Sequence, residues 1–345
     1  MSPRARDLGI AIGDLPHGPL NAITDVDGVR VGHTTIIRGE DVRTGVTVVL
    51  PGTLPCFAAP FRLNGNGEMT GLEWVRESGL LTTPVGITNT FSVGIVRDAI
   101  VESQVRISRE RWHLPVVAET WDGLLNDIAG MHVQREHVFA ALEAADGGPV
   151  AEGNVGGGTG MVCHGFKGGI GTASRVADGY VVGVLVQANH GRRPRLQIDG
   201  VAVGHELDAE RIPPPPREQE AAAGSIIVLV ATDAPLLPDQ CGRLAVRAAL
   251  GVGRTGGAGE DSSGDLILVF STGHDSLTED KPSTITRLPG RNLNPLFYAA
   301  IEATEEAIVN ALVAAETMTG RAGTVHRLEH ELLVQVMRSR GALAR

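Results

Sequence analysis

Ser225 follows Gly224 at the mouth of an apolar run, Ile226 to Val230, in a chain of 345 residues. A glycine–serine pair in that place has two readings. One is a turn, in which glycine supplies loose backbone and serine bonds locally. The other is self-cleavage. The serine hydroxyl attacks the glycine carbonyl, the acyl group moves from nitrogen to oxygen, and water splits the ester. Ser225 then begins a new chain, and its α-amine, with a pKa of about 7.7–8.0, is partly neutral near pH 7. A hydroxyl that uses its own amine as base is one route to an activated nucleophile. Gly224 suits the position before the cut, because no Cβ blocks the approach.

Other polar groups stand at the ends of apolar runs. Asn189 follows the run Gly179 to Gln187 and is placed to offer an amide N–H to a developing oxyanion. Glu119 and Asp122 stand where Leu114 to Ala118 meets a loop, a usual place for binding groups. Read alone, Glu119 is a solvated loop carboxylate. Ser263 and Asp265 precede the run Leu266 to Phe270 and read alone as a polar turn. The stretch GNVGGGTG, Gly153 to Gly160, is a turn for close backbone approach rather than a nucleotide loop. No strand leads directly into it, no βαβ unit surrounds it, and no P-loop lysine is in place. His326-Arg327-Leu328-Glu329-His330 matches the H-x-x-E-H pattern, but too little chain follows to supply a further ligand. It reads as the polar face of a terminal helix with Leu328, Leu332, Leu333 and Val336 turned inward.

Four stretches together resemble one family. They are GSIIVLVATDAPLLPDQ (Gly224 to Gln240), ITDVDGVRVGHTT (Ile23 to Thr35), GNVGGGTGMVCHGFKGGIGTASR (Gly153 to Arg175) and VLVQANHG (Val184 to Gly191). The chain resembles the DmpA-type aminopeptidases, the L-aminopeptidase/D-amidase-esterase and β-peptidyl aminopeptidase family. The resemblance implies an α/β fold, a four-layer αββα sandwich of the Ntn-hydrolase-like kind shared by DmpA and the ornithine acetyltransferases. It implies one catalytic domain over 1–345, cut between Gly224 and Ser225 into 1–224 and 225–345, with four such cleaved pairs in a homo-oligomer. Ser225 becomes the nucleophile, Asn189 the oxyanion donor, and Ser263 with Asp265 the groups that assist the nucleophile. Asp265 stands where homologues carry glutamate, one methylene shorter. Glu119 matches the acidic residue that holds the substrate's free amine. Trp121 replaces a usual tyrosine, keeping the ring and losing the hydroxyl. His190 stands where the family shows an aromatic and reads as a ring replacement. The substrate is then a short peptide, amide or ester, with no metal or organic cofactor. Two other readings stay open: acetyl transfer as in the ornithine acetyltransferases, which use threonine at the cut, and an uncleaved, non-enzymatic binding or assembly protein.

Composition agrees with a packed α/β chain. With 42% apolar residues, 45 glycines and 3% aromatics, it favours strands, turns and small-residue packing over a helical bundle. A net charge of −10 argues against nucleic acid or an anionic membrane surface as partner. The three cysteines, Cys56, Cys163 and Cys241, lack the spacing of a disulfide framework or a zinc ribbon and read as small buried hydrophobes. No stretch has the apolar core of a secretory signal or the length of a membrane span, so the expected location is cytoplasmic.

The elements that must position these residues follow from periodicity. Ile23 to Ile37 and Gly45 to Leu50 alternate as early antiparallel strands, with Asp27-Gly28 as a turn. Loop chemistry marks Phe57 to Gly71, and a short helix Met69 to Glu77. A strand Val85 to Thr90 leads to a helix capped by Ser92 and ending near Val105. A helix spans Arg135 to Ala145. Lys167 to Val176 and Gly179 to Gln187 are strands. Glu206 to Ala223, with Pro213 to Pro216, is an exposed linker into the scissile pair. A helix runs from Pro238 to Leu250, and another lies within Leu293 to Thr319, lined by alanines.

Overall fold

The computed structural model describes residues 2–343, except 111, 208–209, 217–223, 275–276, 278–281 and 283. The Ala221-Ala222-Ala223 run and the adjoining part of the linker lie outside the described residues.

Two sheets stack face to face. One contains β1 (Arg30–Arg38), β2 (Val42–Leu50), β5 (Val85–Asn89) and β6 (Val116–Thr120), in the order β1-β2-β5-β6. The other contains β3 (Cys56–Gly65), β4 (Leu80–Leu81), β7 (Gly169–Ala177), β8 (Tyr180–Asn189), β9 (Ser225–Thr232) and β10 (Gly264–Ser271), in the order β4-β3-β10-β9-β8-β7. The helices are α1 (Leu72–Ser78), α2 (Val93–Ile107), α3 (Arg135–Glu143), α4 (Pro238–Arg254), α5 (Asn294–Val313) and α6 (His330–Ser339).

The period-2 rule for strands explains the layering. On β9 the residues Ile226, Val228 and Val230 face one way and join a core with Leu244, Ala248, Ala303 and Ala307 of α4 and α5. Their neighbours Ile227, Leu229 and Ala231 face the other way and meet Val49, Val85, Ile87 and Ala118 of the second sheet. A third core lies beyond that sheet, where Val46, Val48 and Val117 pack on Val96, Ile100, Val138 and Ala141 of α2 and α3. The order is therefore helices, sheet, sheet, helices: the αββα sandwich. Every residue of β9 and β10 is buried, so these strands carry apolar side chains on both faces rather than alternating with polar ones. Each large side chain so buried contributes about 1.5–3 kcal/mol.

Two connections fix the handling of β9. It pairs antiparallel with β8, Asn189 opposite Ser225, and parallel with β10, Ser225 opposite Gly264. A parallel neighbour needs a crossover, and α4 supplies it. The alanines of α5 let its backbone approach β7. A Cβ on Gly171 would lie 1.9 Å from the Ala307 carbonyl oxygen, so only glycine fits there.

The structure corrects several sequence expectations. Asp27-Gly28 is a turn, but it does not join two strands. Ile23–Asp25 is a 3-10 turn, and the hairpin between β1 and β2 turns at 39–41. The reason is local bonding: the Asp25 carboxylate accepts from Leu20 N and Ala22 N, and Ile23 N donates to Thr172 Oγ1, so side chains take the backbone groups a ladder would use. Asn89, not Ser92, caps the turn into α2, its Oδ1 accepting from Phe91 N and Ser92 N. Most of Phe57 to Gly71 is not loop: β3 pairs with β10 over nearly its whole length. The terminal pattern is not one helix face. His326 precedes α6, while His330 begins it and bonds through Nε2 to the Val313 carbonyl. Leu328 and Leu333 are buried as expected. No helix among the described residues is long and apolar enough to cross a membrane.

Candidate active site

Ser225 is the first residue of β9 and is 2% exposed. Its position in the middle of a six-stranded sheet leaves the backbone little freedom. Gly264, across the parallel ladder, donates its N–H to the Gly224 carbonyl at 3.1 Å. The same N–H lies 3.4 Å from Ser225 Oγ. One backbone donor thus addresses both the carbonyl before the serine and the serine hydroxyl. A Cβ on Gly224 would come within 3.3 Å of His190 Cα and 3.4 Å of the Asn189 carbonyl oxygen, so the absence of a side chain matters here.

Asn189 ends β8 directly opposite Ser225. Its Oδ1 accepts from Val162 N at 2.7 Å and its Nδ2 donates to the Trp121 carbonyl at 3.1 Å. A backbone N–H can only donate and a carbonyl only accept, so these two bonds settle the orientation of the amide. The NH2 group carries a second hydrogen beyond the one given to Trp121.

Ser263 and Asp265 flank Gly264. Ser263 Oγ donates to Asp265 Oδ1 at 2.5 Å, and both are buried. The aspartate reaches its serine without the extra methylene. Burial pushes the Asp265 carboxyl above its usual range, and the Ser263 hydroxyl pulls the other way. The loop bearing Ser263 is stapled from β3: Asn64 Nδ2 donates to the carbonyls of Glu260 and Ser263, and Asn66 Nδ2 to that of Ser262. Neither asparagine was singled out from sequence; the Asn64-Gly65-Asn66-Gly67 run reads as a turn, and only its pairing with β10 gives it a task.

Glu119 lies within β6 rather than in a loop, opposite Thr88, and is 3% exposed. Read alone it is a solvated carboxylate; the fold instead buries it at a strand end. Two donors hold it: Glu68 N at 2.9 Å on Oε1, and the Thr90 hydroxyl on Oε2. Burial raises its pKa, and those two bonds oppose the rise. Gly67 brings it to the serine end of the site, since a Cβ there would lie 3.1 Å from Glu119 Oε1 and 3.0 Å from Gly264 Cα. A cavity of about 550 Å³ adjoins, lined by Gly67, Met69, Trp74, Arg62 and Leu266 among others. Trp121 is half-buried beside Asn189 and meets it through its carbonyl.

Lys167, missed in the sequence, supports the loop beneath Asn189. Its ammonium is fully buried and donates to the carbonyls of Met161 at 2.9 Å and Gly168 at 2.8 Å. Met161 precedes the residue whose N–H holds Asn189. Burial lowers the Lys167 pKa to about 7.

A serine at the head of a buried strand, a backbone donor aimed at the preceding carbonyl, and a fixed amide opposite meet at one end of an αββα sandwich. Comparison with known proteins gives this arrangement a family. Residues 21–326 match peptidase family S58. The chain is 49% identical to the β-peptidyl aminopeptidase BapA of Sphingosinicella microcystinivorans, over 99% of this chain and 93% of that one. Among solved structures it superposes on a β-aminopeptidase of Burkholderia sp. with a TM-score of 0.92 at 52% identity, covering 98% and 99% of the two chains. It superposes equally well on the L-aminopeptidase D-Ala-esterase/amidase of Ochrobactrum anthropi, a variant of the Ntn-hydrolase fold, with a TM-score of 0.91 at 43% identity over 99% and 100%. The chain belongs to peptidase family S58. It is an aminopeptidase, a hydrolase of peptide bonds.

Proposed function

We propose that Ser225 becomes the nucleophile of this aminopeptidase by cutting the chain before itself. The observation that carries the reading is the single N–H of Gly264, 3.1 Å from the Gly224 oxygen and 3.4 Å from Ser225 Oγ. Oγ attacks the Gly224 carbonyl carbon, and the oxygen that becomes negative already faces a donor. The carbon–nitrogen bond breaks as the nitrogen takes the hydroxyl proton. Water then hydrolyses the ester, leaving a carboxylate on Gly224 and a free α-amine on Ser225. One catalytic domain results, in two pieces, 1–224 and 225–345.

In the mature enzyme the α-amine takes the hydroxyl proton and Oγ attacks the substrate carbonyl. The second N–H of Asn189 Nδ2, with the N–H of Gly264, holds the oxyanion. The Ser263–Asp265 pair orients the nucleophile. Glu119, ionised, binds the substrate's terminal ammonium, and Trp121 packs against the residue that carries it. The adjoining cavity has room for the remainder of a short peptide, amide or ester. The relatives' names include β-peptidyl and L-amino-acid substrates, and we extend that class to this chain. The protein acts in the cytoplasm as a homo-oligomer of four cleaved pairs.

Intact mass tests the central step. Two pieces divided before Ser225 are expected from the purified protein, and a single 36.2 kDa species from Ser225→Ala, which is also inactive. Cleavage of Ser225→Ala at the same bond would overturn the assignment.

A further inference from the structure

Behind the Asn189 strand end lies a group of side chains that the hydrolytic reading does not use. Cys163, His164 and His190 are all buried, and their candidate donor atoms lie within 4.8 Å of one another. The Cys163 sulfur is 3.8 Å from His190 Nδ1, a separation longer than a good hydrogen bond. His164 Nδ1 donates to the Arg192 carbonyl at 3.2 Å, which fixes its tautomer and leaves the Nε2 lone pair free. That Nε2 has no partner among the described residues. An orphaned imidazole nitrogen in the interior costs free energy unless something occupies it, and His190 turns its Nδ1 toward the Cys163 sulfur. A metal-bound histidine whose other ring nitrogen donates to a backbone carbonyl is the usual arrangement, and His164 already has it.

We infer that Cys163, His164 and His190 form a binding site for one thiophilic d10 cation, Zn2+ or Cu+. The donor set decides the class. One thiolate and two imidazoles, with no carboxylate, select soft or borderline cations and reject Mg2+ and Ca2+. Modest contraction of the three side chains brings the donors to the about 2.0–2.3 Å that such ions require. Binding replaces the Cys163 thiol proton by the metal and releases that proton to solvent. A surface cavity of about 390 Å³ has Gly257 in its wall. A Cβ on Gly257 would lie 3.0 Å from His190 Cδ2, so one glycine separates that cavity from the ring. Because His190 follows Asn189 and borders Gly224, a bound ion would hold the turn next to the scissile pair.

The test is direct uptake by the full chain. Protein dialysed against a chelator is incubated with Zn2+, or with Cu+ under a reductant, then desalted and assayed for metal. One equivalent of either ion per chain is expected, and Co2+ as probe should give a sulfur-to-cobalt charge-transfer band. Cys163→Ser should lose both the equivalent and the band. If that variant does not fold, His164→Gln, checked by circular dichroism, takes its place with the same loss expected. Uptake below a tenth of an equivalent of both ions by the unaltered chain, or full uptake by a folded variant, would overturn the inference.

Discussion

Asn189 has both ends of its amide committed, Oδ1 to Val162 N and one N–H to the Trp121 carbonyl. It can therefore stabilise an oxyanion without reorienting, and its removal should cost kcat about 10²–10³-fold in Asn189→Ala, by analogy with other single oxyanion donors. Steady-state kinetics on a chromogenic aminoacyl amide would show it. Because Trp121 contributes its carbonyl to this contact, replacing its side chain should alter substrate choice more than the oxyanion contact. Glu119 gives a pH signature. Burial raises its pKa, so it becomes protonated at a higher pH than an ordinary carboxylate. Binding of an amine-bearing substrate should fall as pH drops through that raised value. Glu119→Gln should raise KM at least about tenfold and remove this acid limb, while leaving cleavage before Ser225 intact. An unchanged KM would remove Glu119 from the amine site.

At the scale of elements, the site depends on how closely β10 and the end of β3 approach. A Cβ on Gly264 would come within 2.7 Å of the Asn66 carbonyl oxygen and of Gly67 Cα. Gly264→Ala should push the 64–67 segment away and displace the N–H that faces Gly224, so cleavage should slow by an order of magnitude or more, measured as the fraction of full-length chain against time. Sequence pattern and structure part company at this same junction. The placement of Ser225, Asn189 and Asp265 at the ends of apolar runs was legible, because the runs are continuous and rich in β-branched residues; the roles given to them came from the family resemblance. The strand β3 was not legible. Pro60 interrupts it, and Gly65-Asn66-Gly67 dresses its end as a turn. Proline is tolerated because β4 pairs only with Cys56 and Phe57, leaving the rest of that edge open. The burial of Glu119 was missed for a related reason. Its burial comes from Glu68 and Thr90, far away in sequence, and no local pattern announces them. The layer order came from family resemblance, and the parallel β9–β10 pairing was not read at all, since periodicity names faces but not neighbours.

Across the whole molecule, a buried ion network ties the N-terminal segment, β7 and α5 together. Arg175 is fully buried, with Nε 3.1 Å from Glu302 and Nη2 2.6 Å from Glu306, and it donates to the Ile12 carbonyl as well. Arg6 adds a second bond to Glu306 at 2.8 Å. Burial alone would raise the Glu306 carboxyl, but the two arginines hold it below its usual range. A depressed carboxyl contributes stability above its unfolded pKa of about 4.3 and loses it as pH falls through the folded value. The Glu306 share of stability should therefore be lost only below about pH 4, and Arg175→Met, which removes the buried cation between Glu302 and Glu306, should cost about 3–5 kcal/mol in urea denaturation at pH 7. A loss under 1 kcal/mol would mean the network is replaceable.

The sheet order β4-β3-β10-β9-β8-β7 has a further meaning for a chain cut before Ser225. The two strands that follow the cut, β9 and β10, lie between β3 on one side and β8 on the other, both of which precede it. The halves would be woven, not docked. Neither could leave without tearing a ladder along its full length, so the nicked protein should travel as one body under native conditions and separate only in denaturant. Each half alone lacks neighbours for its most apolar strands, and supplying the halves as separate gene products should give aggregates rather than enzyme. The cut would then behave as an irreversible assembly record: the two-piece form can be reached only by folding first as one.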